Sequence, residues 1–406
     1  MRRAFCASVA GCMFALLLIL FAAQLDAQTW TVLHSFTGPD GAGPEAGLTM
    51  DQAGNLYGTT FSGGSTAGNC HFTSGCGVVF KMTRHGSNWT VVPLYKFSGP
   101  DGSNPMARVI IAPDGTLYGT TYYGGASNSG VVFRLQPPAT ACKSVLCPWT
   151  ETVLHSFTGG VDGANPSLGD LTVDRTGNVY GTTYTGGYTG GDCGLSSPGC
   201  GVVFELTPSS GGWTENVLHT FQWNDGAFPY AGVIFDSSGN IYGTAEAGGT
   251  SGGGVIYELT PSASGWTETV LHTFTGGEDG EQAYGGLISD SAGNLYGATS
   301  IGGQNTGGEA YELSPSAGGW TFNLLYGLDA YQGTLAKLAM DSSGNLYGTL
   351  FDGGVPEVFR LTRSNGQWNL TGFNGSEGSF PYGNMILDSA GNLYGAAGNV
   401  VFEITP

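Results

Sequence analysis

Four polar side chains stand where their counterparts in a repeated pattern are glycine. The chain carries seven related units, and the residues just before each unit's first apolar run read "PEAG", "PMAR", "SLGD", "PYAG", "AYGG", "TLAK" and "PYGN". The fourth position is therefore Gly47, Arg108, Asp170, Gly232, Gly286, Lys337 and Asn384. Two cations, a carboxylate and an amide among glycines can grip a ligand, or they can pair with one another as an Arg108–Asp170 ion pair between neighbouring units. Two residues earlier stand Tyr230, Tyr284 and Tyr382, with Glu45 at the same place in the first unit. Aromatic faces with a few convergent polar groups suit a sugar or a peptide. Catalysis asks for more: clustered carboxylates with a metal, or a base such as His or Tyr. This set offers Glu45, Asp170 and tyrosines, but no histidine.

Other residues with chemical potential are weaker. Asp40, Asp101, Asp162, Asp225 and Asp279 recur before a glycine, with Asp329 and Glu377 in the looser last units. Asp-Gly makes turns; calcium held by single loops is the competing use, because a hard cation gathers several oxygens. No other cofactor is expected. His34, His155, His219 and His272 share one position in "VLH", where Tyr95 and Tyr326 stand in other units. A Tyr cannot replace a metal-binding imidazole, so packing is expected there. "GTSGG" at Gly249 matches a nucleophile-elbow pattern, but it joins two strands rather than a strand and a helix. Six cysteines fall in close pairs, Cys70 with Cys76, Cys142 with Cys147 and Cys193 with Cys200. Each pair brackets a short loop and none has C-x-x-C spacing, so local disulfides are expected over metal ligation.

The elements that position these residues follow from the repeat. "DSAGNLYG" occurs at residues 290–297 and 388–395, with near-copies beginning at Asp51, Asp174, Asp236 and Asp341 and a shorter relative at Pro113. The tyrosines of this string are spaced by 61, 62, 62, 54, 51 and 47 residues, a period typical of propellers and other repeat folds. One unit, residues 232–280, holds four short β-rich runs, "GVIF", "NIYGTA", "GVIYELT" and "WTETVLHTF", here called strands A to D. Its many glycines defeat a helix. Four strands in seven units predict an all-β, seven-bladed propeller of four-stranded antiparallel blades. The last unit stops after a strand C, "VVFEITP", while "TWTVLHSF" near the start is a strand D without a blade. The N-terminal strand should therefore complete the last blade, closing the ring and removing its open edges. "DSAGN" is then the A-to-B turn, a structural device rather than a catalytic motif.

The combination "GNLYGTT…GG…GVVFELTP…W…VLHSFTG…DG…P" resembles the GloVer tandem-repeat proteins, sometimes described with a choice of anchor. The resemblance covers nearly all of the chain beyond its first residues and implies an exported repeat protein, with no activity to carry over residue by residue. The "DxxGNLY" phrase alone is similar to turns in NHL and lactonase-type propellers, over one hairpin only.

Export is also expected from the N-terminus. Arg2 and Arg3 precede an apolar stretch, residues 4–23, and a small-residue site ending at Ala27, the pattern of a signal peptide over residues 1–27. An uncleaved anchor is the alternative, ahead of a lipoprotein box at Cys12. Residues 28–406 then form a single propeller domain, secreted or held in the periplasm or envelope, with no later membrane span. Without Arg2, Arg3 and Asp26, ten basic residues face thirty acidic ones, a charge of −20. Such a surface repels phosphate backbones and excludes nucleic acid as a partner.

Alternating strand direction puts the D-to-A and B-to-C loops at one end of the ring, where variable, stapled loops mark the functional face. The expected function is a monomeric, non-catalytic module binding a glycan or protein there. The alternative is an extracellular propeller enzyme, a lactonase or polysaccharide lyase, with a metal-assisted site at the channel mouth.

Overall fold

Short runs of apolar and small residues, interrupted by Gly, Asp, Asn or Pro, build strands of two to nine residues joined largely by tight reversals. A computed structural model describes residues 28–66, 68–138, 148–194, 198–329, 333–350, 358–373 and 383–405. Within them the strands form seven four-stranded antiparallel sheets. In the fourth blade strands A to D are Ile234–Phe235, Ile241–Ala245, Val255–Ser262 and Gly265–Thr273. The last blade contains Ile386–Leu387, Leu393–Ala397, Val400–Thr405 and, as its fourth strand, Thr29–Ser35. That N-terminal strand pairs antiparallel with the last one, Thr29 opposite Thr405 and Ser35 opposite Val400, with one irregularity between Val32 and His34. The ring closes as the two chain ends require.

The repeated string owes its composition to this geometry. At Asp51 one carboxylate oxygen accepts the backbone N–H groups of Ala53 and Asn55, while the other accepts the Asn55 amide and the Tyr57 hydroxyl. The same set recurs at Asp174, Asp290, Asp341 and Asp388. Burial alone would raise the Asp51, Asp174, Asp290 and Asp341 carboxyls, but these hydrogen bonds hold all four below the usual range. The Gly of "LYG" answers to packing: a Cβ on Gly58 would lie 2.6 Å from the Phe80 ring.

The core is a belt between blades. Strand C contributes a fully buried ring in every blade: Phe80, Phe133, Phe204, Tyr257, Tyr311, Phe359 and Phe402. The Phe that ends the preceding strand D packs on it, as in Phe97–Phe133 at 5.1 Å and Phe221–Tyr257 at 5.1 Å. The strand D Trp covers the neighbouring blade's strand B Tyr, as in Trp320–Tyr242 at 5.7 Å. Each buried ring contributes about 1.5–3 kcal/mol of transfer free energy, so the scaffold under the loop face is rigid.

Candidate functional site

The sister-breaking residues converge on the ring axis. Arg108 of the second blade donates from Nε to Asp170 Oδ2 of the third at 2.6 Å. Asn384 of the seventh blade reaches across the axis and donates to the same oxygen at 3.1 Å, while its own Oδ1 accepts the Lys337 backbone N–H at 2.8 Å. The glycines of the neighbouring blades allow this close approach. A Cβ on Gly232 would meet the Asp170 backbone, and one on Gly47 would lie 2.9 Å from Asn384. A cavity of about 60 Å³ remains, bounded by Arg108, Asp170, Tyr284, Lys337 and Asn384. It has room for a few waters and is too small for a sugar ring. Asp170 Oδ1 is buried there without a protein partner. Burial pushes the Lys337 ammonium down to about 8, with Arg108 acting in the same direction and Asp170 against it. Arg108, Asp170 and Asn384 form one hydrogen-bonded network, which the Lys337 backbone joins through Asn384.

Tyr230 and Tyr284 belong to a second group, on the D-to-A and B-to-C loop face. Their rings meet edge to face at 5.1 Å, Tyr230 meets Tyr184 at 5.6 Å, and Tyr184 meets Phe228 at 5.3 Å. Glu246 lies among them, its Oε1 accepting the Tyr184 hydroxyl at 3.3 Å and its Oε2 buried without a partner. Burial pushes the Glu246 carboxyl up to about 7, the hydroxyls of Tyr184 and Tyr284 pulling the other way. Tyr122 joins electrostatically, its phenol raised to about 12 by burial and by Tyr123, Tyr230 and Glu246. All of these side chains are half-buried, so each keeps part of its surface open to solvent. Glu45 is half-buried in the first blade, its carboxyl raised by desolvation. No hydrogen bond or ring contact joins it to either group among the described residues. Tyr382 and Glu377 lie outside those residues.

Sequence reasoning missed Tyr122, Tyr184, Phe228, Glu246 and Trp223. The signal was a second departure from the repeat: the residue three beyond the Gly of the "LYG" string runs Phe61, Tyr122, Tyr184, Glu246, Ser300, Phe351 and Gly398. Backbone conformation marks the other two. Trp223 and Phe228 are left-handed, with φ of 63° and 58°. Their sister positions hold Gly38, Gly99, Gly159 and Gly276 in the first case, and Gly43, Asn104, Asn165 and Gln282 in the second, all left-handed too. A large aromatic residue is a poor occupant of that region, and strain of this kind concentrates at functional sites.

The remaining candidates have structural partners. Asp40, Asp162 and Asp279 cap the D-to-A loop by accepting backbone and hydroxyl donors from Thr37, Thr158 and Thr275. The strand D imidazoles of His34, His155, His219 and His272 meet the loop carboxylates at 2.8 to 3.3 Å. Tyr95 donates to Asp101 in the same way at 2.6 Å. His34, His155 and His272 thus bond to the turn as well as pack, whereas His219 only lies within ion-pair distance of Asp225. Among the described residues no three His, Cys, Asp or Glu side chains gather as a metal would need. Cys70–Cys76 and Cys193–Cys200 are disulfides, each closing a B-to-C loop; Cys142 and Cys147 lie outside the described residues. Wider crevices open at the opposite end, between adjacent A-to-B turns, for example among Asp236, Tyr242, Asp290 and Trp320. Their carboxylates are already saturated by their own turns, leaving little to grip a ligand. Among the described residues no helix is long and apolar enough to cross a membrane.

Comparison with known proteins gives a family and a fold. The family model described as the Gloeobacter/Verrucomicrobia repeat matches residues 19–194 and again 192–396. A search of the curated proteins found no match. Among solved structures, virginiamycin B lyase from Staphylococcus aureus is similar at TM-score 0.58 and 15% identity, over 93% of this chain and 99% of that one. The extracellular domain of a one-component system from B. thetaiotaomicron is similar at TM-score 0.58 and 10% identity, over 93% and 40%. The WD40 propeller domain of Doa1 is similar at TM-score 0.56 and 10% identity, over 93% and 97%. At such identities these three share a fold with the chain, and their differing roles show how little the fold decides.

Proposed function

The chain belongs to the Gloeobacter/Verrucomicrobia repeat family, and from that premise we propose that it is an exported, monomeric, non-catalytic binding module whose ligand is a glycan. The observation that carries the reading is the basin of Tyr184, Phe228, Tyr230 and Tyr284 around Glu246, with Phe228 and Trp223 placed on left-handed backbone that sister blades give to Gly, Asn or Gln. Sugars present apolar C–H faces to aromatic rings and hydroxyls to phenols and carboxyls, which is the chemistry on offer. A protonated Glu246 can donate as well as accept. Two disulfides fit an oxidising compartment outside the cytoplasm. The test is an array of neutral and acidic oligosaccharides probed with purified protein. Neutral glycans should bind, and Glu246→Gln together with Tyr230→Ala should weaken that binding at least tenfold; absence of any glycan binding refutes the reading.

One observation supports an enzyme instead. A carboxyl that titrates near 7 between phenols is poised for general acid or base work. Under that reading Glu246→Gln abolishes turnover of a bound sugar or lactone while leaving affinity intact.

A further inference from the structure

A second aromatic group stands beside the basin. Phe72, on the Cys70–Cys76 loop of the first blade, is 40% exposed. It meets Phe61 at 5.7 Å and Tyr123 of the next blade at 5.8 Å. His71 stacks flat on Tyr123, centroids 3.7 Å apart and planes 5° from parallel, and the Asn128 amide holds its Nδ1 at 3.2 Å. Tyr123 in turn meets Tyr122 at 4.7 Å, and Tyr122 is coupled electrostatically to Tyr184 and Tyr230. Ring contacts thus join Phe72 and His71 through Tyr123 to Tyr122, and electrostatic proximity alone joins Tyr122 to Tyr184 and Tyr230; taken together the two groups make a track between the stapled loop and the Glu246 carboxyl.

Building on the glycan-binding reading, we propose that this track makes the site one for a polysaccharide chain rather than a single sugar: the basin around Glu246 holds one part of an uncharged chain, and Phe72, His71 and Tyr123 hold sugars further along it. Three observations select this occupant. Aromatic side chains recur from the Cys70–Cys76 loop of the first blade to Tyr123 of the second, Tyr184 of the third and Tyr230 of the fourth, a spread over four blades that a polymer of similar units can follow and a compact ligand cannot. The net charge of −19 opposes polyanionic chains. Most rings on the track also carry a hydroxyl or ring nitrogen, giving amphipathic contacts rather than a dry apolar patch. The disulfide limits the freedom of the loop, so less conformational freedom is lost when the chain settles.

The test uses ladders of cello- and chito-oligosaccharides, two to eight sugars long, titrated against the full-length mature protein. Affinity should rise at least tenfold from the shortest to the longest members of a ladder. His71→Ala with Phe72→Ala, both exposed positions, should flatten the rise while leaving the shortest binder unchanged; Glu246→Gln should weaken all lengths alike. Length-independent affinity, or a rise that survives the His71 and Phe72 changes, overturns the track and leaves the basin standing. Failure of both ladders in wild type and variants overturns the track and the basin's glycan reading together. A uniform loss in the His71 and Phe72 variant, with its melting curve preserved, also overturns the two-part site.

Discussion

Phe228→Asn should separate binding from stability. Ordinarily, truncating a half-buried Phe next to a core costs about 3 kcal/mol or more. Here two gains offset part of that cost. Asn tolerates left-handed backbone better than Phe, recovering roughly 1 kcal/mol of the strain at φ 58°. In sister blades the Asn at this place donates to the carbonyl after the preceding strand B, Asn104 to Phe61 at 2.8 Å and Asn165 to Tyr122 at 2.9 Å. The amide introduced by the substitution can make the equivalent bond to the Tyr184 carbonyl, a gain of about 1 kcal/mol. Against this stand the lost ring contacts with Tyr184 and Trp223, each about 0.5–1.5 kcal/mol. Exposing the half-buried ring costs about 1 kcal/mol more, so the net loss should be about 0–2 kcal/mol, while glycan affinity falls about tenfold or more. Urea denaturation followed by tryptophan fluorescence gives the first number and calorimetric titration the second. A loss of about 3 kcal/mol would mean that Phe228 is ordinary core, and the argument from its strained backbone would fail.

Further predictions address the scaffold. The Tyr257 and Tyr311 hydroxyls are buried without partners where five sister blades carry Phe, so Tyr257→Phe and Tyr311→Phe should each stabilise by about 1 kcal/mol, read as a higher denaturation midpoint. At the axis, Asp170→Gly should cost more than Arg108→Gly, about 3–5 against about 2 kcal/mol, because Asp170 alone faces Arg108, Asn384 and Lys337; equal losses would contradict the shared network. Burial raises Glu151, Glu215, Glu246 and Glu268 to about 7. Their unfolded forms ionise near 4.5, so stability falls as pH rises from about 4.5 to 7, while the lowered Asp51, Asp174, Asp290 and Asp341 add stability that is lost as pH drops through their folded values. The lowered His155 and His272 oppose the first trend as pH rises toward 6.5, but with two groups against four. The melting temperature should therefore peak near pH 5 and fall by pH 7.5; a monotonic rise across that range would refute the glutamate assignment. Deleting residues 29–35 unpairs Val400–Thr405 and opens the ring, so the shortened protein should aggregate or melt well below the parent.

The fold was legible because each unit repeats its own errors and virtues. Asp, Gly, Asn and Tyr recur at the spacing one hairpin needs, and a strand C without a partner at one end matches a strand D without a blade at the other. The axial residues were legible for the opposite reason, as polar side chains where Gly is the rule. What their sequence did not reveal is that Asn384 crosses the axis to Asp170, since that distance depends on ring closure. The basin was half legible. Tyr230 and Tyr284 stood out before strand A, but Glu246 and Tyr184 sit after strand B and meet them only through neighbouring blades. The anomaly of Trp223 and Phe228 is one of φ, and a sequence displays it only once their Gly, Asn and Gln counterparts are aligned.

The most direct test of the central claim is the position of a bound neutral oligosaccharide in a crystal of the complex. The account predicts a sugar ring against Tyr230 and Tyr284, with a hydroxyl within hydrogen-bond distance of Glu246. A sugar seated instead in the crevices between the A-to-B turns, beside residues such as Trp320 and Asp290, would contradict it.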